Sequence, residues 1–153
     1  RDWSSDVCSS DLDIHYVLDS YMKSYAVVPG PKQMRIQVKM PHGHQPGWAP
    51  QEIGLFIDSH CRSGIPLPIV GKPQEKGGAL VLECQSSTPL QKAQLHFTTD
   101  PGPRSARNWI SVDATLEGKI ITAPKPPAEA NTWFLSVTDE RGAMVSSEVF
   151  FRE

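Results

Sequence analysis

Between residues 34 and 40 the apolar Met34, Ile36, Val38 and Met40 alternate with Arg35, Gln37 and Lys39. A period of two predicts a strand with one buried and one wet face. Pro41 has no N–H to extend a ladder, so the strand is expected to stop there. Upstream, Val17, Leu18, Tyr21, Met22 and Tyr25 recur at the spacing of one helical face, which predicts a helix over residues 17–26. Asp19 and Lys23 face away from that stripe and pair across one turn. Val28-Pro29-Gly30-Pro31 then breaks the helix. Residues 46–50 read as a turn, with Pro50 placed as a first helical residue. From Gln51 a second helix is expected, with Ile53, Phe56, Ile57 and His60 or Cys61 along one stripe. Ser63-Gly64 ends it, and Pro66 and Pro68 forbid its continuation.

From Gly77 the pattern changes to short strands between turn residues. The expected strands are Ala79–Gln85 and residues 93–98, 109–112, 119–122, 132–138 and 145–151. In the fifth, Trp133, Leu135 and Val137 alternate with Phe134, Ser136 and Thr138. Asp100-Pro101-Gly102, Glu117-Gly118 and Glu140-Arg141-Gly142 supply turns at sandwich-like intervals. This half is expected to be an all-β, immunoglobulin-like sandwich over residues 77–153, large enough for a modest core of its own. Pro66, Pro68, Gly71 and Pro73 give the preceding stretch the character of a linker, placed at residues 68–76. Residues 13–67 then form a separate helix–strand–helix unit.

Residues 1–12 lack the basic start, apolar run and small-residue cleavage site of a signal peptide. They resemble a translated sequencing adapter, and are set aside as a non-native segment; the expectation is that the natural chain began further upstream. Without them the chain has fourteen basic and fourteen acidic side chains. That balance, with no basic block, argues against nucleic-acid or anionic-membrane partners. No apolar run approaches the ~20 residues that span a bilayer. With Cys8 set aside, Cys61 and Cys84 fit no zinc or redox spacing and read as small buried hydrophobes, one on a helix and one on a strand.

The chemistry-bearing residues gather near the first strand. His42 and His44 follow its carboxyl end, where open α/β sheets build their sites. Asp13, then a helix, a strand and a histidine, follows the chain order of the latter part of a Ser…Asp…His hydrolase. No Gly-x-Ser-x-Gly is present. In such a site the imidazole takes the serine proton and returns it to the leaving group, while the acid fixes the tautomer. Parity puts His42 and His44 on the same side, so spacing does not choose between them. A metal reading of His42-x-His44 with His15 and His60 lacks a glutamate at the needed spacing, and neither metal nor cofactor is expected.

Asp13-Ile14-His15-Tyr16, Val28-Pro29-Gly30-Pro31 and Met40-Pro41-His42-Gly43-His44-Gln45-Pro46-Gly47-Trp48 resemble the end of a prolyl-oligopeptidase-like or acetylxylan-esterase-like α/β-hydrolase. Some of these carry a sandwich after the catalytic domain, and residues 90–153 resemble it. The resemblance implies that His44 is the triad base, with His42 the alternative, that Asp13 is the triad acid, and that the serine lies upstream. The fragment alone would then be inactive, and the parent would hydrolyse an ester, with a carbohydrate ester as one substrate class and peptides as another. Trp48 would wall the substrate pocket, or more simply staple the following helix. Trp109, Trp133, Phe134, Phe150 and Phe151 offer a sugar-stacking surface on the sandwich, although alternating strand aromatics are more often core. The competing expectation is a non-catalytic binding or spacer module, with the sandwich as the functional unit.

Overall fold

The computed structural model describes residues 8–10, 18–40, 43–102 and 106–152, the first of these segments by its backbone alone. In chain order β1 (Cys8–Ser10), α1 (Leu18–Val27), β2 (Arg35–Gln37), α2 (His44–Trp48) and α3 (Gln51–Cys61) come first. There follow β3 (Ile69–Val70), β4 (Gln74–Lys76), β5 (Ala79–Gln85), β6 (Leu90–Thr98) and β7 (Ile110–Glu117). The chain closes with β8 (Ile120–Pro124), β9 (Thr132–Asp139), β10 (Met144–Ser146) and β11 (Phe150–Phe151).

The period-two segments form an antiparallel sandwich. One sheet runs β10-β9-β6-β7, with β11 also on β9; the other joins β8 to β5, with β3 and β4 on the far edge of β5. β7 belongs to both: residues 110–114 pair with β6, and residues 115–117 pair with β8. Ala93, Leu95 and Phe97 of β6 and Trp133, Leu135 and Val137 of β9 meet Leu80, Leu82, Cys84, Ile121 and Ala123 in one core. Burial pushes the Cys84 thiol up to about 11, so it stays protonated and inert. Gly71 is required by closeness: its N–H donates to Glu83 O, and a Cβ there would lie 2.6 Å from that oxygen.

The opposite faces of β6 and β9 are buried too, at His96, Thr98, Thr132, Phe134 and Ser136. α1 and β2 supply the cover. Leu18, Met34, Ile36 and Val149 cluster with Phe134, and Met22, Tyr25, Val38 and Trp109 pack around them. β9 is therefore enclosed on both sides. His96 sits in this second layer, with Nδ1 2.7 Å from Ser111 Oγ and Nε2 2.8 Å from Ser136 Oγ. Its ring stacks on Phe134 at 4.7 Å. Burial, helped by the Lys92 charge, lowers its pKa to about 4, so the imidazole is neutral.

Several expectations change in detail. The strand foreseen over residues 34–40 pairs only through Gln37, because a turn at Val38 and Lys39 follows, with Lys39 at φ 60°. Its parity still holds: Met34, Ile36 and Met40 are buried. Residues 46–50 fall largely in α2. Residues 68–76 contain β3 and β4, both paired with β5, and Leu67 belongs to the sandwich core. Cys84 is buried as expected, whereas Cys61 is exposed at the last residue of α3.

The α/β-hydrolase remnant is overturned. Such a domain is a parallel sheet wrapped by helices. Among the described residues the parallel pairing is the three-residue ladder between β1 and β2, and β3 to β11 are antiparallel. α3 lays Leu55 and Phe56 against the sandwich core, and α1 contributes Leu18 to the second cluster. The helices are layers of the sandwich, not the end of another domain.

Phe134→Ala removes the side chain that joins the cover to the sheet. It is expected to cost about 3–5 kcal/mol, read as a lowered denaturation midpoint with an unchanged slope. The His96 pKa fixes a pH window as well. Between pH 6.5 and about 4 the unfolded imidazole binds a proton that the folded one does not. Stability is thus full above about pH 6.5 and falls by about 3 kcal/mol on acidification through that window. His96→Gln should flatten this limb; an unchanged slope in equilibrium unfolding at several pH values would refute the assignment.

Candidate functional site

A groove of about 450 Å³ lies where β2, α2, α3 and the β9–β10 turn meet. Arg35, Gln37, Met40, Pro46, Gln51 and Glu52 are among the residues that line it. The volume falls within the ~300–1,000 Å³ of small-molecule sites.

Glu52 organises the groove. Pro50 starts α3, which places Glu52 in its first turn, where a carboxylate suits the helix dipole. Its residue exposure is only 2 %. Oε1 accepts the Met144 N–H of β10 at 2.7 Å, and Oε2 forms an ion pair with Arg35 Nε at 3.1 Å. Arg35 Nη2 donates to Gln37 Oε1 at 2.7 Å, and Nη1 lies 4.0 Å from Met40 Sδ. The guanidinium is thereby fixed across the floor. β2 itself is held to β10: Ser146 N–H donates to Met34 O at 2.7 Å, and Ile36 N–H donates to Ser146 Oγ at 3.1 Å.

The wall from the β9–β10 turn is equally tied. Asp139 is wholly buried. Burial alone would raise its pKa, but donors from the Arg141 side chain, Ala143 N–H, Thr88 Oγ1 and Arg141 N–H together hold it below the usual carboxylate range. Arg141 also donates to Ile65 O and Pro66 O, at 3.0 Å each. Gln51 Nε2 donates to Arg141 O at 3.1 Å, which joins α3 to this turn.

The residues foreseen from sequence are placed as follows. His44 opens α2 and is exposed. Trp48 ends the same helix and is 59 % exposed. Four residues apart, they share one face, whereas Pro46 lines the groove. Trp48 is not among the residues that line the groove, although Ala49 and Pro50, which follow it in sequence, are. Asp13 and His42 lie outside the described residues. Trp133 and Phe134 are core, Trp133 stacking on Phe150 at 4.1 Å and Phe134 taking the edge of Trp109 at 5.4 Å. Among this set, Phe151 is 38 % exposed.

Sequence reasoning missed Glu52, Arg35 and His96. Arg35 was read only as a wet-face residue, and its pairing with Glu52 spans seventeen positions with no local periodicity to announce it. His96 lies between serines as a catalytic base might, but Ser136 is 3 % exposed and closed to substrate. Both ring nitrogens are hydrogen-bonded to serine hydroxyls, one donating and one accepting, so no acid orients this imidazole. No three His, Cys, Asp or Glu side chains cluster for a metal among the described residues, and none of the described helices is long and apolar enough to cross a membrane.

No family model matches the chain, and no curated protein matches it. Among solved structures it is similar to a carbohydrate-binding module of family 56, described as a β-1,3-glucan binding domain. The identity is 14 %, over 57 % of this chain and 99 % of that one, with a TM-score of 0.35. It is also similar to a pectate lyase from Erwinia chrysanthemi in complex with tetragalacturonic acid. There the identity is 16 %, over 54 % of this chain and 27 % of that one, with a TM-score of 0.33. The expected α/β-hydrolase membership is overturned by the antiparallel sheet topology described above, and the triad roles given to His44, His42 and Asp13 rested on that resemblance.

Removing the Glu52 carboxylate strands Arg35 and the Met144 N–H at once. Glu52→Ala is expected to cost about 3–5 kcal/mol and to speed hydrogen exchange at the Met144 amide. Exchange unchanged at that amide would show that Glu52 does not hold β10.

Proposed function

We propose that this chain is a non-catalytic β-sandwich module that binds carbohydrate in the groove between β2 and α3, with Trp48 stacking on the ligand at the rim. The observation that carries this reading is a groove whose polar side chains are held in place, with an exposed tryptophan next in sequence to its lining residues Ala49 and Pro50. A sugar presents C–H faces that suit an aromatic plane and hydroxyls that need both donors and acceptors. Gln37 and Gln51 supply both kinds through their amides, and Arg35 supplies donors. Those side chains are already ordered by Glu52, Arg141 and one another, so binding costs less side-chain entropy. The near-neutral charge balance supports an uncharged polymer over a nucleic acid as partner.

Titration calorimetry with soluble oligosaccharides tests the proposal. Trp48→Ala should weaken binding about tenfold or more, equivalent to ~1.4 kcal/mol, while leaving the unfolding midpoint unchanged. Undiminished affinity in that variant removes Trp48 from the site. Absence of binding to any oligosaccharide defeats the module's proposed ligand class.

A further inference from the structure

We infer that the groove selects neutral sugars over uronates, an inference that rests on its being a saccharide site. The selecting group is Glu52. An arginine in a binding groove ordinarily marks a carboxylate partner, because its planar fork matches two oxygens. Here that position is already filled from within. Arg35 Nε faces Glu52 Oε2 at 3.1 Å, Nη2 is taken by Gln37 Oε1, and Nη1 faces Met40 Sδ. A guanidinium carries five N–H donors; Nη1 and Nη2 each spend one on these contacts, while Nε meets Glu52 as an ion pair, so the others remain for neutral hydroxyl or ring oxygens.

The charge on Glu52 is also difficult to move or screen. Its side chain is 3 % exposed, and that of Arg35 is 14 % exposed. Oε1 is committed to the Met144 N–H. A uronate that displaced Glu52 from Arg35 would leave a buried carboxylate without its cation, which is strongly unfavourable. A uronate that left the pair intact would place a second negative charge beside the first. A neutral hexose meets neither obstacle, since it needs only the remaining donors, the glutamine amides and the Trp48 face.

The test compares a neutral glucan oligosaccharide with an oligogalacturonate of equal length on the intact chain, by calorimetry across a salt series. The expected result is at least tenfold tighter binding of the neutral sugar, with affinity insensitive to salt. Glu52→Gln should narrow the ratio by raising affinity for the oligogalacturonate. If that variant does not fold, the salt series on the wild-type chain decides. Oligogalacturonate bound as tightly as the neutral sugar, with affinity climbing at low salt, would overturn the selectivity and leave the saccharide site standing. Failure of both sugars to bind would overturn the site and the selectivity together.

Discussion

The burial of β9 on both faces is the constraint from which the rest of the structure follows. Trp133, Leu135 and Val137 complete the sandwich core, which alone would be ordinary for an antiparallel sheet. Phe134 points the other way and is also fully buried, with His96 and Ser136 beside it. A sheet face carrying a phenylalanine and a neutral imidazole cannot be left in water without loss of stability. α1 and β2 are therefore part of the folded unit. Their docking brings β2 alongside β10, and that contact positions one wall of the groove.

Polar contacts then fix what the apolar layers bring together. Glu52 links α3, β2 and β10 through one carboxylate, and Asp139 with Arg141 links the β9–β10 turn to residues 65 and 66. Each of these carboxylates is buried, so each is costly unless fully partnered. The result is a groove shaped by ordered side chains from three elements distant in sequence.

Much of the fold was legible from periodicity. β5 was foreseen at its observed bounds, and β6, β8 and β9 within a few residues, because turn residues punctuate an alternation of two. The helix α1 was legible from its apolar stripe; α3 was legible as a helix, but its expected stripe included Ile57, which is exposed, and left out Glu52 and Leu55, which face the fold. The second buried face was legible only in part: Phe134 interrupts the polar parity of β9 with a large apolar residue, a sign of burial on both sides. The groove was not legible. Arg35 falls in a position that reads as solvent-facing, and its partner is defined only when α3 packs across β2. The hydrolase resemblance drew on an acid, a helix, a strand and histidines in order, but order along a chain does not specify the sheet that such residues must share.

The pairing of Ser146 and Glu52 with neighbouring backbone also bears on how the molecule behaves in a crowd. β10 is an edge strand, and an edge ordinarily offers a row of free amides on which a foreign strand can assemble. Here the Met144 amide is taken by a carboxylate and the Ser146 amide by a carbonyl of β2. The border is sealed by the chain's own residues, so runaway intermolecular pairing, the route to amyloid, finds no docking template along β10 while α3 and β2 remain in place.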